Sequence, residues 1–177
     1  MQNVLLVAAA QASTEQVAAA SRLLHSHWPK GGSVAEYQAK LIGDGTTGLL
    51  PQSYVLIRND NDHDKTVVAH GRLIECFESA GGNAAALTYI IAGPQGKGYG
   101  SQLVAMLEKE AIRLGYHYLY LWTATAVPFY LKLGYQPTER VSLFCACLKK
   151  LECDQVIKLE AVLQKKMGNM MTKRNET

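Results

Sequence analysis

The sequence predicts one α/β domain, an α+β mixed sheet whose central strands are mostly antiparallel, with helices on both faces. Three observations lead there. Three strand-like runs follow one another between Tyr54 and Ala92, with polar turns between them, as in an antiparallel meander. A helical stripe comes directly after the third run, joined to it by a glycine-rich loop. Another strand, a short helix and a further strand then follow, so the order reads β–α–α–β–β–β–α–β–α–β.

Val4–Ala9 reads as the first strand. Ser13 or Thr14 caps the next helix, with Gln16 placed as in a capping box. Val17, Ala20, Leu23 and Leu24 give that helix an apolar stripe, and it ends before Trp28-Pro29. Gly31-Gly32-Ser33 is a turn, Val34, Tyr37 and Leu41 mark a short second helix, and 43–51 is loop. Strands follow at 54–58, 66–77 and 87–92, with turns at 59–65 and 79–83. In the second of these, Val67, Ala69, Gly71 and Leu73 share one face, and Val68, His70, Arg72 and Ile74 the other. Leu103, Val104, Leu107, Ala111 and Leu114 recur at helical spacing, and Gly115 is placed to end that helix. Tyr116–Thr123 reads as a buried strand and 126–133 as a short helix ending at Gly134. Val141–Leu148 is a further strand, Glu152–Lys166 an amphipathic helix, and Met170-Met171 a last short strand.

At 177 residues the chain suits one domain with a sizeable core, and its net charge of +3 argues against a general nucleic-acid binder. Cys76, Cys145, Cys147 and Cys153 match no zinc spacing, so no metal is expected and reduced thiols are the simplest account. Val4–Val7, followed by Ala8, Ala10 and Ala12, imitates a short signal peptide. The charged leader is missing and the apolar run is short, so a cytoplasmic location is expected; a monomer is the expected assembly. No segment is long enough to span a membrane.

The chemistry concentrates at Leu87–Leu114. Strand, glycine loop and helix in that order aim unpaired backbone N–H groups and the positive end of a helix at one point, which suits a phosphate. The loop is not a nucleotide P-loop, because no Gly-Lys-Ser/Thr triplet ends it. Gly96-x-Gly98-x-Gly100 also has the wrong spacing for a dinucleotide fingerprint. It does fit Gln/Arg-x-x-Gly-x-Gly, read as Gln95, Gly98 and Gly100.

That loop resembles the acetyl-CoA pyrophosphate loop of the GNAT acetyltransferases. Ala126-Val127-Pro128-Phe129-Tyr130-Leu131-Lys132-Leu133-Gly134-Tyr135 resembles the second signature of the same family, Ala-x-x-Phe-Tyr-x-x-x-Gly-Phe/Tyr. The resemblance implies the GNAT fold, with the sheet splayed between its fourth and fifth strands, and acetyl-CoA as co-substrate. It places the pantetheine arm along Tyr89, Ile90 and Ile91, one of whose N–H groups polarises the thioester carbonyl. It places the pyrophosphate on Gln95, Gly96, Lys97, Gly98, Tyr99 and Gly100; Lys97 is equally well read as a solvated lysine. It also places Tyr130 against the cofactor thiol, with the role of general acid.

Val68-Ala69-His70-Gly71-Arg72-Leu73, Trp28-Pro29 and Leu133-Gly134-Tyr135-Gln136 narrow the resemblance to the actin-maturing N-terminal acetyltransferases (N-alpha-acetyltransferase type H). Those enzymes acetylate the processed acidic N-terminus of actin, which makes an acidic protein N-terminus the expected partner. Animal relatives can carry a proline-rich insert thought to engage profilin. Cys147–Gly168 contains no proline, which argues against profilin docking here.

For the acceptor, Trp28, Lys30 and Tyr37 line one side of the expected groove and Arg140 the other, with Thr123 added. Arg72 is a further candidate for an acidic side chain, since each charged hydrogen bond is worth ~1.5–3 kcal/mol. The plainer readings stand beside these: Trp28 staples a helix end and Lys30 is solvated. The strand that leads into the loop contains no glutamate, which leaves His70, Glu75 and His117 as candidate bases, each also readable as structural. An N-terminal amine has a pKa near ~8, so a strong base is not required. Two alternatives remain: transfer to a small amine or lysine, and an acyl-CoA-binding module without catalysis.

Overall fold

The computed structural model describes residues 3–44, 50–61, 64–77, 83–138 and 169–174. The expected strand 141–148 and helix 152–166 lie outside the described residues. The elements are β1 (Val4–Ala8), α1 (Thr14–His27), α2 (Val34–Gly43), β2 (Gln52–Asn61), β3 (Asp64–Phe77), β4 (Asn83–Ala92), α3 (Tyr99–Arg113), β5 (Tyr118–Thr123), α4 (Val127–Lys132), β6 (Gln136–Pro137) and β7 (Asn169–Arg174). Short 3-10 turns at Ala9–Gln11 and Pro29–Gly31 precede the two N-terminal helices. The strands are ordered β1-β2-β3-β4-β5-β7-β6 in a mixed sheet, with β4 parallel to β5. The chain clusters into two compact units, Met1–Leu73 with Tyr89–Leu107, and Ile74–Thr88 with Glu108–Thr177.

In the first unit β1, β2 and β3 form an antiparallel meander, with Val4 opposite Arg58 and Val55 opposite His70. Both N-terminal helices begin in capping boxes, Ser13 with Gln16 and Ser33 with Glu36, which satisfy helix N–H groups that have no partner within the helix. Val17, Ala20 and Leu24 of α1 and Tyr37 and Leu41 of α2 pack with Val55, Ile57 and Ile91 on one face of the sheet. The other face takes α3. A Cβ on Gly71 would come within 2.6 Å of Leu107 and 2.8 Å of Ile90, so only glycine lets the helix approach that strand.

In the second unit β4 and β5 pair from Ala84↔Tyr118 to Leu87↔Leu121. The predicted last strand is longer than two methionines: β7 runs antiparallel to β5 along its length, Tyr118↔Arg174 to Thr123↔Asn169. The fifth strand begins at Tyr118 rather than Tyr116. Gly115, at φ +86, closes α3, and the N–H of Tyr116 is used on the Ala111 carbonyl at 2.9 Å, a helix-ending motif that withholds this residue from the sheet. Gly134, also at φ +86, ends α4 in the same way, with the Tyr135 N–H on the Tyr130 carbonyl at 3.1 Å.

Candidate active site

The loop after β4 begins at Gly93, whose N–H donates to the Val68 carbonyl at 2.9 Å. Residues 94–98 are exposed. Gly96 and Gly98 have φ +76 and +78; a Cβ at Gly96 would meet nothing within 4 Å, and one at Gly98 only the Gln102 side chain at 3.7 Å. Backbone conformation, not crowding, therefore calls for glycine. The first turn of α3 carries no acidic residue, so nothing opposes the positive end of its dipole. An exposed turn of this kind, without a carboxylate, fits an anionic pyrophosphate, with Gln95, Gly96, Lys97, Gly98 and Gly100 as the residues to hold it. Tyr99 differs from its neighbours. Its ring is buried at 2% exposure and its hydroxyl accepts from Arg58 Nη1 at 3.3 Å, so the side chain anchors the loop and leaves its backbone for a ligand.

Upstream, Tyr89 has φ +51, the one non-glycine residue at positive φ among those described. That conformation costs a side-chain-bearing residue ~1–2 kcal/mol and persists only where the surroundings impose it. They do so from both sides. His70 Nδ1 lies 3.0 Å from the Tyr89 carbonyl; a carbonyl only accepts, so Nδ1 carries the proton. The ring meets Trp28 edge-on at 5.5 Å and Tyr37 at 6.4 Å between centroids. Lys40 Nζ sits 4.4 Å above its centre and 3.4 Å from its hydroxyl. Ile90 follows half-buried and Ile91 buried.

Tyr37, Lys40, Ser53, His70, Arg72 and Tyr89 border a recess of about 10 Å³, room for a single water. His70 is 1% exposed, and its Nε2 has no partner among the described residues. Burial lowers its pKa from 6.5 to about 4; the Tyr89 carbonyl and Asp44 oppose the shift, while Arg72 and Lys40 add to it. The ring is therefore neutral at physiological pH. Arg72, expected to be available to an acidic acceptor, instead grips Asp44 with Nε at 2.7 Å and Nη2 at 2.9 Å. Ser53 donates to the same carboxylate at 2.6 Å. Removing either ionic partner would strand a charge with little access to water.

Lys30 is exposed on the 3-10 turn beside Trp28. Tyr37 is buried and donates its hydroxyl to the Trp28 carbonyl at 2.9 Å. Arg140 lies outside the described residues. Lys40, Asp44 and Ser53 were not singled out from sequence. Lys40 stands on the partly buried flank of α2, where a lysine reads as ordinary helix surface.

The second unit carries Tyr130. It is 6% exposed on α4, and burial pushes its pKa up to about 12, so the phenol keeps its proton. Phe129 and Tyr135 meet its ring edge-on at 4.9 and 5.6 Å. Thr123 Oγ1 accepts from the Ala126 N–H at 2.9 Å and so fixes the entry to α4. At the other end Lys173 Nζ donates to the Leu133 carbonyl at 2.9 Å and pairs with Glu108 at 3.0 Å. Neither Lys173 nor Glu108 bears a motif signal. Of the remaining candidate bases, Glu75 is half-buried near Tyr116, and His117 is exposed with its N–H on the Asn83 carbonyl at 2.9 Å. Cys76 is a buried thiol. Among the described residues no His, Cys, Asp and Glu group could hold a metal, and no helix is long and apolar enough to cross a membrane.

Known structures share the architecture. N-acetylglutamate synthase from Neisseria gonorrhoeae, solved with coenzyme A and N-acetyl-glutamate, superposes with a TM-score of 0.64 at 14% identity; the match covers 100% of this chain and 36% of that one. A GNAT-family acetyltransferase from Staphylococcus aureus gives 0.63 at 14% identity, over 98% of this chain and 100% of that one. Tetrahymena GCN5 gives 0.59 at 15%, over 99% and 96%. The chain thus spans about a third of the length of the synthase and essentially all of the other two. At such identities these matches speak for the fold alone. No curated protein matches the chain significantly. The model of the acetyltransferase (GNAT) family matches residues 17–135, which takes in the glycine loop and the whole Tyr130 segment; the chain belongs to that family.

Proposed function

We propose that the protein acetylates the N-terminal amine of proteins with acidic N-termini, processed actin foremost, by direct transfer in a ternary complex. The observation that carries this reading is Lys40. Its ammonium lies over the Tyr89 ring with no carboxylate partner among the described residues, while the nearby Asp44 is taken by Arg72. With exposed Lys30 and the aromatic edge of Trp28, it gives this face cations for an acidic peptide. Arg140 and Thr123 remain acceptor candidates on the sequence reading alone, and Arg72 acts by fixing Asp44.

Acetyl-CoA supplies the activated acetyl thioester. Gln95–Gly100 hold its pyrophosphate and the Tyr89–Ile91 backbone its pantetheine, with an N–H of that strand donating where negative charge develops. The N-terminal ammonium has a pKa near ~8, so it gives up a proton to solvent readily and the neutral amine then attacks the thioester carbon. Tyr130 holds a proton at Oη until about pH 12 and delivers it to the departing thiolate.

A small acidic amine is the second reading. The gonococcal synthase is complexed with N-acetyl-glutamate, and the same lysines would suit such an acceptor. A CoA-release assay separates the readings, comparing peptides that begin Asp-Asp-Asp or Glu-Glu-Glu with one that begins Met-Leu, and with glutamate. Preference for the acidic peptides, weakened by salt, is expected. Turnover of glutamate or lysine alone overturns the N-terminal assignment, and CoA binding without turnover indicates a non-catalytic module. Tyr130→Phe should lower kcat by ~10²-fold with CoA affinity retained; an unchanged kcat removes Tyr130 from the chemistry.

A further inference from the structure

We propose that His70 is a positioning residue: through its Nδ1–H on the Tyr89 carbonyl it holds the left-handed bend of β4, and so sets where the strand presents its backbone to acetyl-CoA. The functional premise is acetyl transfer from acetyl-CoA, whatever the acceptor.

Two hydrogen bonds to β3 flank this bend, one from the bend itself and one from the residue just after β4. The Val68 carbonyl takes the N–H of Gly93 at 2.9 Å, an ordinary backbone bond. Four residues earlier the Tyr89 carbonyl is met by a side chain, His70 Nδ1, at 3.0 Å. Between these anchors lie Ile90, Ile91 and Ala92. Turning Tyr89 to φ +51 re-aims its carbonyl, and an imidazole reaching across from the neighbouring strand supplies the donor. The ring cannot trade this bond for one to water, because it is 1% exposed. The contacts of Trp28, Tyr37 and Lys40 fix the side chain of the same residue, so backbone and ring are held independently.

The arrangement also separates His70 from the role of base. Nδ1 is committed to a carbonyl, Nε2 is buried without a partner among the described residues, and the recess that the side chain borders has room for one water. Around it stand Asp44 and Lys40 at and near the end of α2, Arg72 on its own strand and Tyr89 on β4. A positioning group and a base make different predictions for the same substitutions.

The test is a double-mutant cycle read in two ways, as CoA affinity by titration calorimetry and as kcat/KM for acetyl-CoA. His70→Leu should weaken CoA binding and lower kcat/KM at least ~10-fold. His70→Asn, whose amide can reach the same carbonyl, should stay within ~3-fold of the parent, with an unchanged pH profile. In a Tyr89→Gly background the residue takes positive φ without a side-chain penalty, so His70→Leu should there cost less than ~2-fold. Equal losses in both backgrounds, or an Asn variant as poor as the Leu variant, overturn the proposal. So does an acid limb of kcat/KM that is present in the parent and missing in His70→Asn, which would make the imidazole a base. If His70→Leu does not fold, His70→Gln takes its place, since its longer side chain overshoots the carbonyl. Loss of CoA affinity reports the bend even if no acceptor is turned over, so failure of the acetyl-transfer reading remains distinguishable.

Discussion

Two stretches a few residues apart drive the backbone into the same left-handed region and reach it by opposite means. Gly96 and Gly98 stand in an exposed loop at φ +76 and +78, with no Cβ to object. Tyr89 reaches φ +51 with a bulky side chain, and only because His70 takes its carbonyl while Trp28, Tyr37 and Lys40 hold its ring. In the loop the conformation belongs to the residue itself. In the strand it belongs to the neighbours, and above all to the imidazole on the carbonyl.

Acid should separate the two most sharply. His70 is driven to a pKa of about 4 by burial, from 6.5, so the unfolded chain binds its proton first. Stability from this group is complete above pH 6.5 and falls as the pH drops toward 4, by ~1.4 kcal/mol per pH unit and about 3 kcal/mol in all. Asp44 moderates the loss, while Arg72 and Lys40 deepen it. Chemical denaturation at pH 7, 5.5 and 4.5 measures the slope. His70→Asn should flatten it, whereas a Gly96→Ala variant should keep the parental slope. An equal slope in the Asn variant would place the acid sensitivity elsewhere.

The loop is tested by the substitution it least tolerates. Gly96→Ala meets no atom within 4 Å, so its whole effect is conformational. A loss of ~1–2 kcal/mol in unfolding free energy is expected, with KM for acetyl-CoA raised about tenfold as the N–H groups lose their aim. A neutral result would mean that the turn relaxes to negative φ without consequence.

The same contrast explains what could be read from the sequence. Gln95-x-x-Gly98-x-Gly100 was legible because glycine announces its own backbone freedom, and Ser13 announced its helix in the same local way, whereas the capping box of Ser33 was hidden inside what read as a turn. Tyr89 was legible as a strand residue, and through the family resemblance as one beside pantetheine, but its bend was not, since that depends on His70, nineteen positions earlier, and on the rings of Trp28 just after α1 and Tyr37 of α2. Arg72 misled for the same reason. Its partner Asp44 closes α2 at the edge of a Gly- and Thr-rich loop, and local sequence offers no hint that the two meet. Tyr116 was drawn into a strand by its neighbours' apolar character, while the need to close α3 claimed its N–H. Short-range chemistry was visible, and long-range pairing was not.

Lys40 provides the smallest and most discriminating break in the comparison, because it belongs to both the bend and the proposed acceptor face. A partly exposed cation over an aromatic ring is worth ~0.5–1 kcal/mol, so Lys40→Met should lower stability by no more than that. The methionine stem still covers the Tyr89 ring, and His70 still holds the carbonyl, so CoA affinity should stay unchanged. What the substitution removes is the charge. With an Asp- or Glu-initiated peptide, KM should rise ~3-fold at low salt and converge with the parent as salt screens the interaction, while a Met-Leu peptide should show no difference. If acidic and neutral peptides respond alike, Lys40 serves the bend alone and the acidic preference must come from other residues. If CoA affinity falls with it, ring and carbonyl are coupled, and the strand's conformation rests on the whole cluster rather than on His70 chiefly.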